Sequence, residues 1–141
     1  TETQLEDRNP KINITILSGD LNGDDNGNIV DTEATRQDNS YHVISIRGNS
    51  RNIVIDGFTI SGGNANGTTN NSCSTAAASQ FFDTRGGAIY ANPYASGHQA
   101  TGTFYNCIIE HNTGTSVGVY SAFTPCGITS LSVDFNFNTC I

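Results

Sequence analysis

Charge is scarce in this sequence. Only 13% of its 141 residues are Asp, Glu, Lys or Arg, about half of the ~25% usual in globular chains. Six basic residues stand against thirteen acidic ones, a formal net charge of −7. No Lys/Arg stripe is present to track a phosphate backbone, which excludes a nucleic-acid partner. Methionine is absent altogether, so the chain reads as a processed product rather than one beginning at its own start codon. No stretch approaches the ~18 apolar residues of a membrane span, and no signal peptide is visible. Helical periodicity is nearly missing: "TEATRQ" after Asp31 has room for one turn and "STAAASQFF" from Ser74 for two. The four cysteines, Cys73, Cys107, Cys126 and Cys140, show no CxxC or Cys/His spacing. That argues against zinc and for two disulfides in an exported protein, with free buried thiols as the alternative.

What fills the gap is Asn, Thr, Ser and Gly around short runs of β-branched and aromatic residues. These runs are "INITIL" from Ile12, "YHVISI" from Tyr41, "NIVIDGFTI" from Asn52, "GAIY" from Gly87, "TFYNCIIE" from Thr103, "VGVYSAF" from Val117 and "LSVDFNF" from Leu131. Each is bounded by turn formers, the signature of strands. The runs also resemble one another. "NITILSG" from Asn13 lies over "DGFTISG" from Asp56 at an offset of 43, "NCIIEHN" follows at 50 and "DFNFN" at 28. Removing the long loop Asn64–Arg85 brings the middle interval to about 28 residues as well, a repeat length typical of stacked coils. The expected fold is all-β: a single domain over 1–141, a right-handed parallel β-helix of about five coils with 64–85 inserted on one side. Stacking at the strand spacing of ~4.8 Å would line up Asn13, Asp56, Asn106 and Asp134 as an Asx ladder, which amides can hydrogen-bond along its length.

"SGDLNGDDNGNIVD", from Ser18, has oxygen-bearing side chains at the spacing of a calcium loop: Asp20, Asn22, Asp24, Asn26, Asn28 and Asp31. Four aspartates, counting Asp25, fall within twelve residues, a charge that a cation would relieve. Against calcium, Asp25 occupies the place where the tight turn of such a loop wants Gly, and no apolar helix flanks either side. The repeat also sets Asp20–Gly23 opposite "GNANG", a plain turn. The segment is expected to be a surface turn with at most weak calcium affinity, and no other cofactor is implied.

The blocks "TETQLEDRNP", "ITILSGDLNGDD", "NSYHVIS", "VIDGFTISGGNANG", "RGGAIY" and "FYNCIIEHNTG" together resemble a family of bacterial right-handed parallel β-helix proteins. Members have the pectin-lyase-like fold, are secreted or lie on the cell surface, and are similar in repeat style to polymorphic outer-membrane proteins. "GGAI" at Gly86–Ile89 is similar to that group's GGA motif. The resemblance covers most of residues 1–114 and departs from Val117 onward. It implies fold and export but no reaction, because a shared fold does not transfer an activity.

Catalytic candidates are Asp56 with Asp134, and Arg36, Arg47, Arg51 or Arg85 as a base, by analogy with lyases and hydrolases of that fold. The ladder and exposed turns account for these residues without catalysis. His42, His98 and His111 are isolated, and no GxSxG signature occurs. An enzyme is therefore not expected. Asn66 and Asn70 match the Asn-x-Ser/Thr glycosylation pattern in the long loop, and Asn13 matches it within a strand. Tyr90, Tyr94 and Tyr105 are candidates for a glycan-binding face, though packing between coils explains them equally. Shifting Cys126 back by one 28-residue repeat lands on His98, at a corner near the loop that carries Cys73. The expected disulfides are therefore Cys73–Cys126 and Cys107–Cys140. The functional expectation is an extracellular structural subunit that associates end to end into a homopolymer, a filament or adhesive stalk. A monomeric glycan-binding module and a polysaccharide-cleaving enzyme compete with it.

Overall fold

The short β-branched runs become strands because each is too brief and too often cut by Gly or Asn to propagate a helix. The computed structural model describes residues 4, 9–68, 83–93, 97–115, 120–122 and 132–141. Within them lie β1 (Thr15–Ser18), β2 (Ile44–Arg47), β3 (Ser50–Asp56), β4 (Phe58–Ser61), β5 (Asn64–Ala65) and β6 (Ile89–Asn92). They continue as β7 (Gln99–Tyr105), β8 (Ile108–Glu110), β9 (Thr113–Gly114), β10 (Tyr120–Ala122) and β11 (Ser132–Asn138). A single 3₁₀ turn, Ala34–Arg36, occupies the place of "TEATRQ"; "STAAASQFF" lies outside the described residues.

The strands form four separate sheets, ordered β1-β4-β8, β2-β6-β10, β3-β7-β11 and β5-β9. All pairings are parallel. The chain therefore crosses the molecule in three tiers: β1–β3, then β4–β7, then β8–β11. This corrects the expected fold. The all-β class stands, but a right-handed parallel β-helix of about five coils does not: among the described residues the sheets hold two or three strands each, and no closed solenoid joins them. The physical reason lies in the register. Thr15 pairs with Phe58, 43 residues on, and Thr59 with Ile108, 49 residues on. The third interval is 33 residues, from Gln99 to Ser132. A repeat of 28 required discarding loop residues that the chain in fact spends within each tier.

The Ser-Gly alignment is real, since Ser18 sits beside Ser61. The Asx ladder needs partial correction. Asn106 Nδ2 donates to Asp56 Oδ1 at 2.9 Å, yet the backbone partner of Asp56 is Tyr105. Asp134 pairs with Thr101, and it is Thr139 that donates its hydroxyl to Asn106 Oδ1 at 2.8 Å. Asn13 precedes β1 and its N–H bonds to the Asn9 carbonyl. The column that repeats at this corner is Gly57, Asn106 and Thr139, with φ of 77°, 51° and 52°. Left-handed backbone at one corner of each tier, and not a shared side chain, is what the sequence repeats there.

The core follows the same columns. Leu17, Ile60 and Ile109 stack across the first sheet, and Ile55 with Phe104 across the third. Phe104 stacks on Phe137 with centroids 5.0 Å apart and tilts against Phe135 at 5.8 Å. Ile46, Ile60, Ala88, Ile89, Ala91, Ala100 and Phe104 are buried together. Strand β6, flanked by β2 and β10, is buried on both faces; His42 stacks on Tyr90 at 4.6 Å and closes its outer side. Tyr90 is fully buried, which removes it from any sugar-binding face.

Glycine is required where tiers touch at the corners. A Cβ on Gly63 would lie 1.9 Å from the Gly87 carbonyl oxygen, and one on Gly19 would lie 2.7 Å from that of Gly62. The obstacle is backbone in both cases and cannot swing aside. Gly63→Ala is expected to lower stability by about 3 kcal/mol, the upper range for forced overpacking. Urea denaturation reads this directly, and a loss below about 0.5 kcal/mol, the scale of neutral surface changes, would contradict the close approach.

Candidate functional site

The richest cluster of polar chemistry is the segment from Asp20 to Asn39, which links β1 to β2. Its beginning is ordered by Asp20. The Oδ1 atom accepts the N–H groups of Gly23 (2.8 Å) and Asp24 (3.3 Å), while Oδ2 accepts that of Asp25 (3.4 Å). An Asp fits here because a short carboxylate can bind several backbone donors of one turn.

The six residues of the calcium spacing do not converge. Asn26 and Asn28 turn their amides onto the Glu33 carboxylate, and these two donors hold Glu33 below the ordinary carboxylate range. Asp31 uses its carboxylate to accept the Thr115 hydroxyl at 3.1 Å and its carbonyl to accept the amides of Asn64 and Asn66. Asn22 is exposed on the turn. What gathers instead is Asp20, Asp24 and Asp38, whose carboxylate oxygens lie within 4.8 Å of one another. Asp38 Oδ2 is sheltered and makes no hydrogen bond among the described residues. Sequence spacing could not supply Asp38, which arrives from beyond the 3₁₀ turn. Three carboxylates suit a hard cation, but calcium takes six to eight oxygens and Asp20 already serves three amides. Isothermal titration of the protein with calcium is expected to give a dissociation constant weaker than about 10 µM, outside the range of dedicated sensors. Asp38→Asn should weaken it further. Tighter binding that survives that substitution would place the site elsewhere.

The centre of the segment is Arg36, 1% exposed. Its Nη1 donates to Asp25 Oδ2 at 2.7 Å, and its Nη2 to the carbonyls of Gly63 at 3.2 Å and His111 at 2.9 Å. One guanidinium thus ties the first-tier loop to the backbone of the second and third tiers. A planar fork with five donors can do this, where a lysine ammonium cannot. Asn39 adds a second tie, donating to Asp25 Oδ2 (2.9 Å) and to the Gly62 carbonyl (2.8 Å). Asn64 adds a third, reaching the carbonyls of Asp31 and Arg36 while accepting the Thr113 hydroxyl at 2.7 Å. A lone arginine in a turn gives no sequence signal for this role. Arg36→Met is expected to cost about 3–5 kcal/mol by leaving Asp25 sheltered without its cation. Asp25→Asn on that background should recover part of the loss, as urea denaturation of both variants would show.

The other candidates are dispersed. Asp56 and Asp134 belong to different tiers and face different neighbours, Tyr105 and Thr101. His42 is held by its stack and by its Nδ1 contact to the Gly86 carbonyl at 3.1 Å; burial keeps its pKa below the usual value. His111 takes a left-handed corner and lends Arg36 its carbonyl. Asn66, a glycosylation candidate, uses its amide on Asp31 and Gln37. Asn70, Tyr94 and the Cys73–Cys126 pair lie outside the described residues. Cys107 and Cys140 are free thiols, so the expected bridge between them is unformed in this structure.

A cavity of about 460 Å³ is lined by Gly57, Asn106 and Thr139 together with Pro10 and Lys11. No protein-family model, curated protein or solved structure matches the chain.

Proposed function

We propose that this chain is a non-enzymatic structural subunit that associates end to end, in parallel strand register, into an extracellular filament or adhesive stalk. One observation carries the reading: both ends of the stack present the same strand order in the same sense. Among the described residues, β2 and β3 pair on one side only, and so do their third-tier counterparts β10 and β11. The free edge of β10 and β11 is equivalent to the edge of β6 and β7 on which those third-tier strands dock. A second copy could therefore add its first tier there by backbone hydrogen bonds. Such a head-to-tail contact need not close and would propagate.

The surface chemistry supports the same reading. Ile12, Ile14 and Ile16 are 75%, 59% and 57% exposed beside the open edge of β1, and Val54 is 66% exposed on β3. With 13% charged residues, little repulsion opposes stacking, and the Lys or Pro that normally blunts an open edge is absent from β1 to β3. Light scattering and negative-stain microscopy of the full chain are expected to show elongated multimers that grow with concentration. Ile14→Lys with Ile16→Lys should return a monomer of unchanged circular dichroism, since both side chains already face solvent. A wild-type chain that stays monomeric at high concentration would overturn the proposal in favour of a glycan-binding module.

A further inference from the structure

Two free thiols occupy equivalent places in successive tiers. Cys107 follows β7 by two residues and Cys140 follows β11 by two, and the β7–β11 register sets Tyr105 against Asn138. The two sulfurs carry matching bonds. Cys107 Sγ donates to the Tyr105 carbonyl at 3.2 Å, and Cys140 Sγ donates to that of Asn138 at 3.5 Å. Each also reaches one tier back, Cys107 to the Ile55 carbonyl and Cys140 to the Phe104 carbonyl. Parallel neighbours in register stand about 4.8 Å apart, inside the Cα separation that a disulfide spans.

The surroundings give the pair a defined job and a defined order of reaction. Beyond Cys140, the Ile141 N–H donates to the Cys107 carbonyl at 3.1 Å, and the Ile109 N–H donates to the Ile141 carbonyl at 2.8 Å. The segment Thr139–Ile141 thus lies along β8 as the start of another tier, held by two backbone bonds and the Thr139 hydroxyl. Thr139 is a β-branched residue with φ of 52°, a strained conformation that needs external support. Cys107 is 1% exposed, and burial pushes its thiol pKa up. Cys140 is only half-buried.

We infer that Cys107 and Cys140 form a redox-closed staple fastening the segment 139–141 to β8, with Cys140 as the attacking thiol and Cys107 as the resolving one. The oxidant is a small-molecule disulfide such as oxidised glutathione. The Cys140 thiol loses its proton and attacks one sulfur of that disulfide, breaking its S–S bond and releasing one thiol. Cys107 then loses its proton and attacks Cys140 Sγ, forming the protein disulfide and releasing the second thiol. The two cysteines give up two electrons and two protons, and the oxidant is reduced to two thiols. The staple is independent of the assembly reading and would hold in a monomer.

The test uses the full reduced chain with Cys73→Ser and Cys126→Ser, treated with oxidised glutathione and followed by intact mass and peptide mapping. The expected product is lighter by two hydrogens and yields a linked Cys107–Cys140 peptide. Adding Cys107→Ser should trap a stable glutathione adduct on Cys140, whereas adding Cys140→Ser should leave Cys107 unmodified in the folded chain. Hydrogen exchange at Ile109 and Ile141 should slow on oxidation. A lasting adduct on Cys140 while Cys107 is present, or first reaction at Cys107, would overturn the inference. Should the double serine variant not fold, non-reducing peptide maps of the oxidised wild-type chain decide it: a linked 107–140 peptide supports the staple, and Cys107 joined to Cys73 or Cys126 refutes it.

Discussion

Three tiers of short parallel strands are joined by their ladders, and the side chain that fastens the first-tier loop to both later tiers at their corners is Arg36. Its guanidinium bonds Asp25, Gly63 and His111 at once, so the loop of the first tier is fastened to the corners of the next two. Burying such a charge is costly, and the cost is offset because an opposite charge and backbone carbonyls replace the lost water. The amides of Asn39, Asn64 and Asn112 extend the same logic. Each side chain satisfies carbonyls that turn away from the ladders at a corner, as Asn112 does for Ile60 and Glu110. A chain so poor in charge places its most deeply buried ion where three turns meet.

The strands were legible because β-branched runs between Gly and Asn have few alternatives. β1, β3 with β4, β6, β7 with β8, and β11 all fall within the runs read from sequence or at their margins. The Ser18/Ser61 equivalence was legible too, because both residues precede a glycine where backbone meets backbone. The tier length was not. Repeats that differ by as much as the 43- and 33-residue intervals can be reconciled only by deleting residues, and sequence does not say which ones the chain spends on a real corner. β5 and β9, two residues each, carry no pattern at all.

Site legibility failed for a related reason. The spacing from Asp20 to Asp31 looked like a wrapped ion because it counts residues along the chain. The structure instead pairs those side chains with partners off that count: Asn26 and Asn28 with Glu33, and Asp31 with Thr115. Asn and Asp serve turns and metals through the same oxygen atoms, so the pattern does not distinguish the two uses. The Asx ladder misled in a subtler way. Asn106 does bond to Asp56, but its backbone belongs with Gly57, and left-handed geometry accepts Gly, Asn or, under strain, Thr. A residue-type match one position out of step hid the conformational repeat beneath it.

The parallel register also dictates the order in which this molecule can come into being. Among the described residues no ladder joins strands near each other in sequence; Thr15 finds its partner at Phe58 and Ile44 at Ile89. As the chain lengthens, β1 cannot form its ladder with β4 until β4 has been made. Over that interval only local bonds are available, such as those of Asp20 to its own turn and of Glu33 to Asn26 and Asn28. Arg36 must wait for Gly63, and then for His111, before its last acceptors exist. Distant pairings of this kind make folding slow, because loop closure must be met before contacts reward it. The turn between β1 and β2 can take shape at the outset, with its guanidinium already held near Asp25, and each later tier completes a socket that the first one left open.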